Sequence, residues 1–141
     1  MSTPVPALVT LHLWRVEPSA VPRALLRMGV DRGRVRRLPG VRFAKLLGTG
    51  DGRTFTVRDA DPLRWGLLTT WASDGAAAAF EGSRVAADWC ALATESWRVD
   101  LRPVAARGTW SGRQPFGDPT PARSTGPVAA LTRARLRPAA V

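Results

Sequence analysis

The stretch VRFAKLLGTGDGRTFTVRDADPLRWGLLTTW, Val41 to Trp71, decides the fold, because it offers two strands with no helix between them. From Val41 to Leu47, the set Val41, Phe43, Lys45 and Leu47 alternates with Arg42, Ala44 and Leu46, which predicts a strand. The more apolar set contains Lys45, the only lysine in the chain. Gly48, Gly50 and Gly52 then stand at alternate positions, as suits a turn that needs positive φ or approaches a ligand. A loop runs to about Pro62. Leu63 to Trp71, short, apolar and threonine-containing, predicts the next strand.

Working outward, LVTLHLWRV (Leu8 to Val16) reads as a first strand that Glu17-Pro18 ends. Ser19 is placed to cap a helix carrying Val21, Leu25, Met28 and Val30 near helical spacing, with Pro22 in its first turn and Gly33 at its end. Leu38-Pro39-Gly40 makes the turn into the second strand. On the other side, Ser73-Asp74 caps an alanine-rich helix through Phe80 and Glu81, and Gly82-Ser83 interrupts it. A second helical piece places Val85, Trp89, Leu92 and Ala93 on one stripe. Trp97, Val99 and Leu101 then alternate with Arg98, Asp100 and Arg102 in an amphipathic last strand.

The order β-α-β-β-α-β is the split βαβ pattern of an α+β, ferredoxin-like fold, a four-stranded antiparallel sheet with helices on one face. A bare apolar second face is unfavourable in water, so a homodimer or a wrapped ligand is expected. Residues 1–106 make this domain. Residues 107–141 are rich in Gly, Pro and Arg and read as a long loop ending in one more strand, Val128 to Leu136.

Composition bounds the function. At 141 residues and 15.2 kDa, with 45% hydrophobic and 23% charged residues, the chain fits one globular domain. Its longest stretch without formal charge, Met1 to Trp14, is too short to span a bilayer and lacks a basic start, so a cytoplasmic protein with no transmembrane segment is expected. A lone cysteine, Cys90, excludes an internal disulfide, a multi-thiolate zinc cage and a CxxC pair, and predicts a buried, inert thiol. The net charge of +10 suggests nucleic acid at first. Yet every basic residue but Lys45 is arginine, and Ala, Gly and Pro abound, as GC-rich coding alone would produce. The cluster Arg27, Arg32, Arg34, Arg36, Arg37 and Arg42 has no interleaved aromatics to stack bases, so it reads as a solvated helix face and no nucleic-acid partner is expected.

Three blocks, PGVRFAKLLGTGDGRTFT (Pro39 to Thr56), GTWSGRQPF (Gly108 to Phe116) and PVAALTRARLR (Pro127 to Arg137), resemble the spheroidene monooxygenase family of carotenoid-modifying enzymes. The resemblance implies an oxygenase that inserts oxygen into an apolar polyene, with haem as cofactor, on a dimeric α/β-barrel scaffold; the electron donor stays unnamed. Longer members contain two related halves, and this sequence resembles the first half with the opening strand of the second. At Ala44 a typical member carries a bulky aromatic, so the wall beside Phe43 and Lys45 is altered. The alternative is a non-catalytic dimeric binding or assembly module that has lost the redox centre.

Oxygen activation requires a bound redox group, which side chains alone do not replace. For haem the possible axial donors are His12, Cys90 and Met28; His12 is the only imidazole and so the candidate metal ligand, with a core histidine bonded to a backbone carbonyl as the structural alternative. One histidine excludes both a facial-triad iron site and zinc-hydrolase chemistry. Arg42 and Lys45 are candidates for binding haem propionates or a substrate anion, and sheet-edge charges otherwise. GTGDGR has Arg53 where a dinucleotide fingerprint needs its last glycine and opens no helix, so it is read as a pocket-mouth loop with Gly48 and Gly50, or as a plain connection. Of six tryptophans, Trp14 and Trp71 are expected to line an apolar substrate cavity with Phe43, or else to sit in the core, and Trp89 and Trp97 to pack in the core or a dimer face.

Overall fold

Alternation in Leu8–Val16 sends Leu8, Trp14 and Val16 to the same side, where they are buried against helices. The computed structural model describes residues 3–51, 53 and 57–133. In chain order the elements are β1 (Leu8–Val16), a 3-10 turn (Pro18–Ala20), α1 (Val21–Arg36), β2 (Val41–Gly50), a 3-10 turn (Val57–Asp59), β3 (Ala60–Trp71), α2 (Asp74–Phe80), α3 (Arg84–Leu92) and β4 (Ala93–Leu101). The sheet order is β2-β3-β1-β4 and every pairing is antiparallel, which is the ferredoxin-like arrangement.

Register sorts the side chains. Leu8 lies opposite Trp71, Thr10 opposite Thr69, His12 opposite Leu67 and Trp14 opposite Trp65, all on the helix side. There they pack with Ala24, Val35, Ala77, Phe80, Val85 and Trp89. Trp14 stacks on Trp89 at 4.9 Å between centroids, and the Trp71 indole N–H donates to Thr10 Oγ1 at 2.8 Å. Two serine caps hold the short helices in place. Ser73 accepts from the amide of Ala76, and Ser83 from that of Ala86.

The expected elements are present with moved boundaries. β2 continues through Gly48 to Gly50 and β3 starts at Ala60, so Gly48 pairs with Trp65 and Gly50 with Ala60 in the ladder. A Cβ at Gly50 would stand 2.9 Å from the Asp59 carbonyl oxygen, so the glycine there serves close strand approach. Ser19 falls inside the first 3-10 turn and α1 has no side-chain cap. The helix passes Gly33, a weak breaker, because packing of Val35 carries it on to Arg36. It also buries Ala24, Asp31 and Val35, while Leu25, at 56%, with Leu26 and Val30 is exposed. The small Ala24 lets the helix approach the sheet where a leucine would hold it off.

The opposite face carries Leu11 and Leu13 of β1, Phe43, Lys45 and Leu47 of β2, Leu68 of β3 and Trp97 and Val99 of β4. The C-terminal segment crosses its β2 side. Trp110 packs on Phe43 at 5.5 Å, and the Asp118 amide donates to Thr3 O. Gly117, at φ +67°, nests against Pro4 and Val5 where a Cβ would collide with backbone. Of the expected terminal strand, residues 128–133 are irregular and the remainder lies outside the described residues.

Candidate functional site

The sheet separates the residues that sequence reading marked as candidates. His12 and Trp14 point toward the helices; Phe43 and Lys45 belong to the other face and another edge. His12 is 4% exposed, tilted against Phe80 at 4.8 Å and stacked on Trp14 at 5.5 Å. Its Nε2 lies 2.8 Å from Glu81 Oε1, just beyond the C-terminus of α2. Thus a carboxylate, not the expected backbone carbonyl, satisfies it. Arg98 of β4, opposite His12 in the ladder, donates to the same Glu81 oxygen at 2.8 Å and to Asp100 at 2.6 Å.

These contacts set the charges. Burial pushes the His12 imidazole below its usual range, and Glu81 opposes that only partly. Burial alone would raise Glu81, but its hydrogen bonds from His12 and Arg98 hold it below the ordinary carboxylate range. Arg98 is held above its usual range: burial lowers it, and Asp100 and Glu81 more than compensate. A neutral His12 that donates Nε2–H to Glu81 keeps a lone pair on Nδ1. That Nδ1 is buried and has no hydrogen-bond partner. A cavity of about 150 Å³ adjoins the residue, lined by His12, Trp14, Glu81, Ala86, Cys90, Ser96, Trp97 and Arg98. Cys90, expected to be buried, is exposed there because it stands on the outward side of α3.

The second cavity, about 420 Å³, lies beside the β2 edge and is lined by Arg36, Val41, Arg42, Phe43, Ala44, Lys45, Ser111 and Arg113. Lys45 Nζ donates to Ser111 Oγ at 2.7 Å, and Arg113 Nη2 donates to the Arg42 carbonyl at 2.8 Å. Ser111 and Arg113 went unmarked in the sequence reading because their partners are more than 60 residues away. The only local signal was the GTWSGRQPF block that contains them.

Other expected members take different places. Trp71 is a fully buried core residue bonded to Thr10, and Gly48 and Gly50 are ladder positions. Within the arginine cluster, Arg27 reaches Asp88 at 2.8 Å and Asp31 at 3.8 Å, and Arg34 reaches both at 3.7 Å. Burial pushes the Asp31 carboxyl up despite those arginines. Among the described residues no three His, Cys, Asp or Glu side chains gather where they could hold a metal ion, and no helix is long and apolar enough to cross a membrane.

The chain is 44% identical over 102 residues to the spheroidene monooxygenase of Rubrivivax gelatinosus, covering 71% of this chain and 39% of that protein. It is 32% identical over 136 residues to that of Rhodobacter capsulatus, covering 92% of this chain and 55% of that protein. The chain is thus similar to part of the spheroidene monooxygenases. It spans about a third to a half of the length of the curated proteins it matches, the one from Cereibacter sphaeroides (36% identity, 31% of its length) included. No family model matches it. Its fold recurs in an antibiotic biosynthesis monooxygenase (TM-score 0.54, 15% identity, 69% of this chain and 98% of that one). It recurs in an MhuD variant crystallised with manganese protoporphyrin IX (0.53, 21%, 72% and 99%). It is found too in a dimeric ferredoxin-like protein of unknown function from Jannaschia sp. CCS1 (0.50, 19%, 67% and 96%).

Proposed function

We propose that the chain is the sheet-and-helix unit of a monooxygenase of the spheroidene type, acting as a homodimer on an apolar, carotenoid-like substrate. The observation that carries this reading is the sequence kinship, at 32–44% identity, with three proteins that all bear the spheroidene monooxygenase name. The half-open apolar face, with Leu11, Leu13, Leu47 and Val99 partly covered and Trp97 52% exposed, supports the dimer: a second copy would bury it and leave an apolar gap between the sheets for a polyene. Phe43 would border that gap beside the altered position Ala44.

Haem is the redox group the resemblance implies, and a porphyrin is present in the MhuD structure. The residues of one chain do not fit it. Drug-sized ligands occupy cavities of roughly 300–1,000 Å³, and the space beside His12 is about 150 Å³. The larger cavity has the cations for two propionates but no His, Cys, Met or Tyr among its lining residues to serve as an axial donor. His12 on β1 and the Arg42–Lys45 pair on β2 are separated by β3 and line different cavities, so they cannot clasp one macrocycle. The oxygenase reading therefore requires a redox group held with residues beyond this single sheet-and-helix unit. His12 is then proposed as a positioned neutral base beside that smaller cavity, held by Glu81.

The test is to measure the mass of the purified chain in solution, titrate it with hemin, and supply reductant, dioxygen and spheroidene. The expected result is a dimer that develops a Soret band and yields a product carrying one additional oxygen atom. A folded dimer that binds hemin and leaves spheroidene unchanged, or never takes up hemin, overturns the oxygenase reading and leaves the binding module in its place.

A further inference from the structure

Every ion pair among the described residues lies away from the β2-edge cavity. Arginines 27, 34, 53, 64, 98 and 102 each meet an aspartate or glutamate; Arg36, Arg42, Lys45 and Arg113 meet none, as is also true of dispersed arginines such as Arg15, Arg23 and Arg84, but these four share one cavity. No carboxylate is present in the cavity wall. Four cations from the end of α1, from β2 and from the C-terminal segment thus converge on one space without an anion, an arrangement that self-repulsion disfavours.

That convergence is built by directed contacts. Lys45 is tied to Ser111 Oγ, Arg113 to the Arg42 carbonyl, and Arg42 Nη1 to Val5 O at 3.3 Å. Each of these uses one donor of a group that has three or five, so further N–H donors remain on every cation. Trp110 and Arg113 exchange two backbone hydrogen bonds across the turn that presents Ser111. Ser111 is the one described non-glycine residue at positive φ, +52°, a conformation that glycine or asparagine adopts more readily. Its hydroxyl, which Gly lacks, is the part that reaches Lys45. Below the cations lies the Phe43 ring, with Lys45 Nζ 5.7 Å and Arg113 Cζ 6.0 Å from its centroid.

We propose that this cavity is a binding site for the oxyanion head of a small molecule, a phosphate or a carboxylate, clamped by Arg36, Arg42, Lys45 and Arg113, oriented by Ser111 and seated over Phe43. At about 420 Å³ it has the size of small-molecule sites. It lies at the β2 edge, with β3 between that strand and the β1 that carries His12, and is independent of any redox group, so it stands or falls separately from the oxygenase reading. Guanidinium groups pair both oxyanions in two-point fashion.

Isothermal titration of the full chain at physiological salt, with pyrophosphate and phenyl phosphate in one arm and decanoate in the other, tests the site without hemin or turnover. One arm is expected to bind with one-to-one stoichiometry, and which arm does so names the source of the oxyanion. Lys45→Met should weaken binding at least tenfold. Arg84→Gln, which removes the same charge from the start of α3, should weaken it less than twofold. Ser111→Gly keeps the turn, since glycine suits its φ, and should weaken binding about threefold or more. Absence of binding by all three probes, or equal loss in Arg84→Gln and Lys45→Met, overturns the site. If Lys45→Met does not fold, unchanged affinity in Ser111→Gly does the same.

Discussion

On the helix-covered face, charge is matched. Glu81 stands between His12 and Arg98, Asp100 takes the other side of Arg98, and Arg27 and Arg34 share Asp31 and Asp88. At the β2 edge, Arg36, Arg42, Lys45 and Arg113 face one another across a cavity with no acid in its wall. One face has the features of a folding core, where the acidic and basic side chains stand opposite one another. The other retains groups whose partner is not part of the chain. The same contrast appears in the tryptophans: Trp89 is fully buried under Trp14, and Trp97 is half exposed on the sheet's other side.

The sharpest way to break this contrast is to remove one of the fully buried core tryptophans. Trp89→Ala should cost about 3–5 kcal/mol of stability in chemical denaturation; a loss below about 1 kcal/mol would mean that the helix-covered face is not the core. Next in size is Trp97→Asp, expected to leave the monomer folded by circular dichroism while halving the mass in solution by light scattering. A variant that stays dimeric would remove this face from the interface.

The smallest effect is in pH. Because the folded state holds His12 neutral below its usual range, protons bind the unfolded chain preferentially, and stability should fall as pH drops through about 6.5. Glu81, held low by His12 and Arg98, acts in the same direction further into acid, where it loses its charge. His12→Gln should flatten the fall near pH 6.5 and leave the more acidic loss. An unaltered slope would show that His12 titrates alike in both states.

Much of the fold was legible. The hairpin without a helix, the serine caps at Ser73 and Ser83 and the alternation in β1 and β4 are local signals, and the structure contains each of them. Boundaries were less so. Gly48 and Gly50 look like a loop until Ala60 and Trp65 pair with them, and Leu25 and Val30 look like a core stripe until Ala24 and Val35 are found to make the contact. The candidate site was legible only in part. His12 is marked by being unique, and Lys45 by being the only lysine. Glu81 and Arg98 carry no local sign of their roles, and Ser111 and Arg113 only their place in the GTWSGRQPF block.

The sequence by itself determined the βαββαβ order and the family resemblance, because hydrophobic period, caps and the three matching blocks are written within short windows. Only the tertiary structure decided that His12 and Lys45 belong to different faces and that four unpaired cations share one cavity. Strand side chains alternate with a period of two, so one register step changes the face a residue joins, and a contact across more than 60 residues exists only after the chain has closed on itself.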